Sequence, residues 1–511
     1  THGVRPSREV LLAFVDEHFA SESSDLEPWT PPDWHPELPE HLQKVSSRFL
    51  PWARNLHEIW PSLGRRTSEA VLLEPEKHSL LARRHGFIVP GGRFRESYYW
   101  DTYWIVLGLL ASGMRDTVKG MLQNMLDDVK NYGHVPNGGR TYYLSRSQPP
   151  LLIISVEAYV RETEDWAFLE QALPALLSEV QFWESTHAVS VEDAAQATSH
   201  RLFRYCSEDA SPRPESYRED VATAGIADDA DGVQGADAKA LMLWRNLRSA
   251  AESGWDFSSR WTHPRHAGSG TAFSLASTDV LSVVPIDLNA MLFKSLHALA
   301  TMVEQVMEHA GRPELGSVAQ AMRDKARDLG SGIKALLFDQ DSSLFLDLWT
   351  RGEPPAPDVR GPATAACVVA AWAGLYEDAP AGSAEKLRLL LERKDEIGPR
   401  ELRCRGGLQT TAAMSGEQWD APNAWPPLQH MAVEGLKTLG FWEDAKQLAE
   451  DWLESTHDAW LQTSAMFEKM DARQPGRGGG GGEYVIQEGF GWSNGVALCF
   501  LLDFATGEEA A

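Results

Sequence analysis

The 511-residue sequence predicts an all-α protein whose paired helices close into a double ring. Three observations predict it. Apolar residues recur with helical spacing in about a dozen stretches, alternating strand-like patterns are few, and no fixed period of roughly 34–47 residues marks a solenoid. Twelve helices in consecutive pairs are what six inner and six outer helices require. The length also exceeds the roughly 250–300 residues at which a single core usually stops growing, leaving two domains or one large closed helical body.

Taken in order, Val10, Leu11, Phe14, Val15 and Phe19 predict a first helix over residues 8–19. The same spacing predicts helices over 102–110, 116–129, 151–160, 166–183, 288–309 and 316–338. It continues over 363–376, 384–393, 428–439, 443–460 and 493–504. The longest apolar stretch, residues 365–376, is about half the length needed to span a bilayer and reads as a buried helix. Residues 343–349 predict a short hairpin. The acidic, Ala- and Asp-rich residues 222–240 read as a solvated insertion or a helix start. Five consecutive glycines at 478–482 have no side chains to pack and, taken alone, read as a flexible linker.

Composition excludes several functions. Forty-three per cent hydrophobic and 23% charged residues are globular values, which removes disorder, collagen and coiled coil as overall classes. Forty-seven Lys and Arg against 73 Asp and Glu leave a net charge of −26, which repels phosphate backbones and anionic lipid. No nucleic-acid or membrane-surface partner is expected, and no transmembrane segment. The four cysteines are widely spaced with no CxxC, so neither a disulfide framework nor structural zinc is expected. No P-loop, dinucleotide fingerprint or HExxH occurs, so no cofactor and no metal are expected. The chain starts at Thr1 without a signal-like segment, which reads as mature or truncated, and no asparagine heads a glycosylation sequon.

Six stretches are richer in aromatic, Arg, amide and carboxylate residues than solvated connections need. Residues 90–104 offer Arg93 and Asp101 for hydroxyls and Phe94, Tyr98 and Trp100 as apolar walls. A sugar ring needs this mixture, because its C–H face packs on aromatics and its hydroxyl edge demands donors and acceptors. Residues 133–150 add Asn137, Arg146 and Gln148. In residues 212–217, prolines pre-set Arg213 and Glu215. In residues 252–261, Asp256 lies between Trp255 and Phe257, where desolvation raises a carboxyl pKa and suits it to act as a general acid. Residues 418–425 are again aromatic with amide and acid. The last stretch, residues 466–494, brings Glu468, Glu483 and Glu488, and the residues alone do not choose among these three as a base. Trp100, Trp104, Trp255, Trp261, Trp419, Trp425 and Trp492, seven of the 19 tryptophans, fall in these stretches, and most are expected to face a ligand.

These stretches resemble the trehalases, glycoside hydrolases that split α,α-trehalose into two glucoses. Residues 90–104 resemble that family's PGGRFxExYxWDxYW signature, with Ser97 where Phe or Val is commoner, and residues 418–425 resemble its QWDxPxxW signature. The other four stretches match family segments in the same chain order, so the resemblance covers roughly residues 40–505. Pro426, where many relatives carry Ala, and Met470, where an aromatic is usual, depart from the pattern without removing an acid–base group.

The resemblance implies an (α/α)6 toroid and an inverting mechanism. It matches Asp256 to the general acid and Glu468 to the general base. It also implies sugar contacts from Arg93, Phe94, Tyr98, Trp100, Asp101, Asn137, Arg146, Gln148, Arg213, Glu215, Gly254, Trp419 and Glu483. The glycine run before Glu483 becomes a candidate lid. The expected layout is an N-terminal helical arm (1–40), one catalytic domain (41–505) and a short tail (506–511), acting as a monomer or weak homo-oligomer on a small-molecule substrate. A related α-glucoside hydrolase, a disaccharide phosphorylase and a non-catalytic sugar-binding protein are the alternatives. Compartment stays open between a secreted, periplasmic or surface-attached chain and a cytoplasmic one.

Overall fold

Two helices of the chain, Asp101–Ala111 and Gly491–Phe504, are apolar on nearly every side, and such helices have to be enclosed by others. The computed structural model, which describes residues 7–19, 25–193, 196–226, 233, 235–265, 273–393, 398 and 401–507, shows what encloses them. They pack against each other in a ring with Leu152–Thr163, Ile286–Ala310, Cys367–Trp372 and Pro426–Thr438, each touching the next and the last touching the first. Outside this ring lie Arg115–Tyr132, Trp166–Thr186, Gly316–Leu336, Ser383–Leu390 and Trp442–Thr463. The sixth outer helix, Leu50–Glu58, comes from the opposite end of the chain and packs on the last inner helix. The fold is an (α/α)6 toroid. The inner helices run in one sense, so the loops that precede them gather at one mouth.

The twelfth helix is a different segment from the one the sequence pattern suggests. Arg8–His18 is helical, with Ser7 capping Val10, but none of its residues is buried, and its apolar stripe faces solvent. Leu50–Glu58 takes the place, started by Pro51 and anchored by buried Trp52, Ala53 and Leu56. The rest of the expected helical arm that is described, residues 25–40, contains a strand, Leu26–Pro28, paired with Gly64–Thr67, and no helix. Residues 1–6 and 20–24 of the arm, 227–232 and 234 of the acidic segment and 508–511 of the tail lie outside the described residues. After the acidic segment, Asp237 caps a helix, Ala238–Glu252, by accepting from Ala240 N at 2.9 Å.

The hairpin expected at 343–349 is divided. Leu344–Phe345 turns back on Phe338–Asp339, whereas Leu348–Arg351 joins a three-stranded sheet with Ala356–Arg360 and Val283–Val284. A further hairpin, Ala188–Asp193 with Thr198–Phe203, adds to the expected elements. Among the described residues no helix is long and apolar enough to cross a membrane.

The ring closes where its first and last inner helices cross. A Cβ on Gly495 would stand 2.0 Å from the Trp104 carbonyl oxygen, and one on Gly108 would stand 2.6 Å from Gly495 Cα. The two backbones touch, and both clashes are with main chain that cannot yield. Gly495→Val is therefore expected to destabilise the fold by about 3 kcal/mol or more, the upper range for overpacking, as read by denaturant unfolding. Wild-type stability in that variant would refute this account of closure.

Candidate active site

The mouth is built loop by loop, each clamped to its neighbour. Arg260, buried, donates to both carboxylate oxygens of Asp287 at 2.8 and 2.9 Å and to both of Asp347 at 2.8 and 2.9 Å. Its guanidinium also covers the Trp255 and Trp261 rings, 4.4 Å from each centroid. Upstream, Glu252 accepts from the Ser147 and Cys206 backbone N–H groups at 3.0 and 2.9 Å. Both ends of the Asp256 loop are thus pinned. Asp420 ties it to the 418–425 stretch by accepting from Ser258 Oγ at 2.8 Å and Ser259 N at 2.7 Å. Trp419 N donates to the Phe257 carbonyl, and Gln418 donates to the Asp256 carbonyl. Gly254 has a positive φ of +75°, and a Cβ there would stand 2.7 Å from the Trp100 ring, so this turn requires glycine.

On the opposite side, Glu468 is held from three directions. Its backbone N–H donates to the Gln487 carbonyl at 2.9 Å, its own carbonyl accepts from Trp492 Nε1 at 2.9 Å, and the residue is 1% exposed. Tyr484 Oη donates to one carboxylate oxygen at 2.7 Å and Lys469 Nζ to the other at 3.0 Å. Lys469 is itself wholly buried, over the Trp425 and Tyr484 rings.

The expected arginines divide in role. Arg146 donates to Asn137 Oδ1 at 2.6 Å and to Glu215. Arg213 grips Asp220 through Nε and Nη2 and reaches Glu483 Oε1 at 3.1 Å. Arg93 is at the rim, over Phe94 and Tyr484, its N–H donating to Gln487 Oε1 at 2.7 Å. Tyr98 bonds Glu96 at 3.2 Å and packs edge-on against Phe94. Gln148 is buried and accepts from Trp100 N at 3.2 Å. Arg146 Nη1, Glu215 Oε2 and Gln418 Oε1 are buried polar atoms with no hydrogen-bond partner among the described residues.

Electrostatics separate the carboxyls. Burial pushes Asp256 up to about 7, opposed by Arg213 and reinforced by Glu483. Burial pushes Asp101 up to about 8, with the charges of Glu468 and Asp256 adding to it; the three carboxyls therefore sense one another. Burial also raises Glu468, but Lys469 and the Tyr484 hydroxyl pull the other way. Burial works to raise Glu215 as well, yet Arg146 and Arg213 outweigh it and hold this carboxyl below its ordinary value. Among the three acids left open by the sequence, Glu468 is the buried one, Glu483 bonds Arg213, and Glu488 lies outside the core.

The seven tryptophans of the motif stretches are only 0% to 3% exposed, and most of them contact one another. Trp255, Trp419 and Trp425 stack in series at 5.5 and 3.9 Å, and Trp100 and Trp492 meet that stack at 5.6 and 5.7 Å. They form the packed wall behind the site. Sequence reasoning also missed Asp220, Lys469, Tyr484 and Asp420. All four lie in or beside the quoted stretches, and a buried arginine or carboxylate requires such partners.

The glycine run is tied down. Gly479 N donates to the Lys469 carbonyl, Gly480 N and carbonyl bond the Asn423 amide at 2.9 and 2.7 Å, and Gly482 N donates to the Gly416 carbonyl. It forms a strap over the 416–423 stretch and delivers Glu483 to Arg213.

The trehalase family model matches residues 2–505. The chain is 41% identical to human trehalase over 502 residues, covering 97% of this chain and 80% of that one. It is 36% identical to a periplasmic trehalase of Escherichia coli, covering 90% and 76%. Among solved structures, the neutral trehalase of Saccharomyces cerevisiae superposes with a TM-score of 0.63 at 24% identity, covering 82% of this chain and 73% of that one. The mannosylglycerate hydrolase of Thermus thermophilus gives 0.53 at 16%, covering 87% and 98%. These two likenesses concern the fold alone. A family match over residues 2–505, with identities of 36–42% across nearly the whole chain, makes this chain a member of the trehalase family of glycoside hydrolases.

Proposed function

We propose that the chain hydrolyses α,α-trehalose to two glucoses with inversion, Asp256 acting as general acid and Glu468 as general base. The observation that carries this reading is the different surroundings of the two carboxyls. Asp256 has no side-chain donor on its carboxyl among the described residues and is pushed up to about 7, so it holds a proton near neutrality. Glu468 receives a tyrosine hydroxyl and a lysine ammonium, which favour its ionised form. Family membership supplies the substrate class.

In the reaction, Asp256 protonates the bridging oxygen as the C1–O bond breaks through an oxocarbenium-like state. Glu468 takes a proton from a water that attacks C1 on the opposite face. One glucose leaves as the β-anomer and the other as the α-anomer. Such a pair of carboxyls stands about 6.5–9.5 Å apart in inverting enzymes, leaving room for that water. The disaccharide is polar over its whole surface, so enclosing it requires partners for every hydroxyl. Arg146 Nη1, Glu215 Oε2 and Gln418 Oε1 are available for that purpose. Asp101, protonated near neutrality, offers a hydroxyl donor beside the two reacting carboxyls. Phe94 and Tyr98 supply an apolar rim for the sugar C–H face. The tied glycine strap carries Glu483, whose pairing with Arg213 leaves less of that positive charge to ionise Asp256.

Asp256→Asn and Glu468→Gln are each expected to lower kcat by about 10²–10⁴-fold with circular dichroism unchanged. Wild-type turnover in either would sink the assignment. NMR of the first-formed sugars is expected to show α- and β-glucose in equal amounts; two α-anomers would contradict inversion. The acid works protonated, so kcat/KM is expected to fall as pH rises through about 7. The base works ionised, so activity is lost as pH falls through the Glu468 pKa. Lys469→Met removes a cation that lowers that pKa, and should move the acidic limb of the profile to higher pH while leaving the alkaline limb in place. An unmoved acidic limb would exclude Lys469 as a positioning residue for Glu468.

A further inference from the structure

The toroid has a second mouth, at the other end of the inner helices. There a cavity of 620 Å³ opens among the C-terminal portions of Asp101–Ala111, Leu152–Thr163, Pro426–Thr438 and Gly491–Phe504. That volume lies within the roughly 300–1,000 Å³ of small-molecule pockets. Nothing in the proposed reaction uses it.

Its walls combine aromatic faces with unspent polar groups. Tyr103 meets the Trp372 and His430 rings edge-on, each at 6.2 Å. Lys294 Nζ sits 4.8 Å from the Trp372 ring centroid and donates to the Trp372 carbonyl at 3.1 Å. His430 is 6% exposed, and its Nδ1 has no partner among the described residues. Burial holds both His430 and Lys294 below their ordinary pKa values, Glu434 and other neighbouring charges notwithstanding. Glu157 and Arg161, one turn apart on Leu152–Thr163, line the cavity, and their side chains form no hydrogen bond or ion pair with another described residue.

We propose that this far mouth is a second carbohydrate site, taking a neutral polyhydroxylated ligand of one or two sugar rings. Trp372 and Tyr103 offer faces for C–H groups, Glu157 accepts, Arg161 and Lys294 donate, and His430 does either. Charge decides against an anion. Lys437 is already shared between Glu434 and Asp503, at 2.8 and 2.9 Å, so Arg161 and Lys294 face Glu157 and a carboxylate-rich rim. A phosphate or carboxylate ligand would meet net negative charge, and a neutral sugar meets none.

The test is hydrogen–deuterium exchange of the full chain with glucose as the probe, alongside isothermal titration. Glucose is expected to protect the C-terminal halves of Leu152–Thr163 and Gly491–Phe504 as well as the catalytic loops, with one site more per chain than in a variant whose far cavity is filled. Arg161→Leu should weaken the far site at least tenfold, and Ala111→Trp, which places a ring in the cavity, should abolish it. Both should keep wild-type turnover and melting temperature. Should Ala111→Trp lower the melting temperature, Arg161→Leu at the rim alone decides. No protection at the far mouth, or far-mouth protection unchanged by Arg161→Leu, overturns the proposal. Stronger protection there by glucose 6-phosphate than by glucose also overturns it, in favour of an anion site. None of these outcomes depends on whether Asp256 and Glu468 are the reacting pair.

Discussion

The close crossing of the first and last inner helices is the constraint on which the candidate active-site mouth depends. Gly108 and Gly495 let the two backbones touch, and the loops ahead of these helices carry residues 90–100 and 466–490. Because the helices cannot slide apart, those loops interlock. Gly491 N donates to the Pro90 carbonyl at 2.6 Å, and Arg93 N to Gln487 Oε1. Asp101 and Glu468 belong to opposite ends of the chain and come within electrostatic reach only through this closure. Asp256, 212 residues before Glu468, is brought in ahead of the third inner helix and fixed by Arg260 and Asp420.

A protein with a net charge of −26 has concentrated buried cations where carboxyls must differ in protonation. A unit charge about 4 Å away is worth about 4 kcal/mol at an effective dielectric of about 20, comparable with the several kcal/mol it costs to bury an ion. The balance is close, so the number and placement of partners set its sign. Glu215 has two arginines and stays ionised. Asp256 lacks a side-chain donor, and Arg213, spent largely on Asp220, does not overcome its burial. Glu468 stands between, raised by burial but supplied with a lysine and a tyrosine. Three carboxyls in one wall thus have three settings.

How much of this was legible follows from what a one-dimensional pattern records. Long amphipathic helices such as Arg115–Tyr132 and Trp442–Thr463 repeat their apolar residues enough times to be seen. Leu50–Glu58 spans nine residues, too few for the period to show, whereas Arg8–His18 shows a clear stripe and buries none of it. The Ala188–Asp193 strand alternates Val189 and Val191 inward, but its partner Thr198–Phe203 buries only its last two residues, so half of the hairpin signal is missing. In the site, the desolvation of Asp256 was legible because its aromatic neighbours adjoin it in sequence. Lys469, Tyr484 and Asp220 act through pairings in space, and Glu468 could be told from Glu483 and Glu488 only by a resemblance or by burial.

The tryptophan surplus finds its use in the same electrostatics. Trp255, Trp419 and Trp425 stack on one another and are 1–2% exposed. A stack of indoles excludes water over a wide area behind Asp256 and Asp101 without offering a hydrogen-bond acceptor to compete with them. That is the desolvation which lifts both carboxyls toward neutrality. The stack also covers Lys469, whose ammonium lies 4.7 Å from the Trp425 centroid, so the cation that holds Glu468 is itself screened from solvent by an aromatic face. Aliphatic side chains could exclude water equally well, but they would give a buried ammonium no favourable face. The same wall therefore acts on two carboxyls in different ways, because its rings desolvate the first and stabilise the counter-ion of the second.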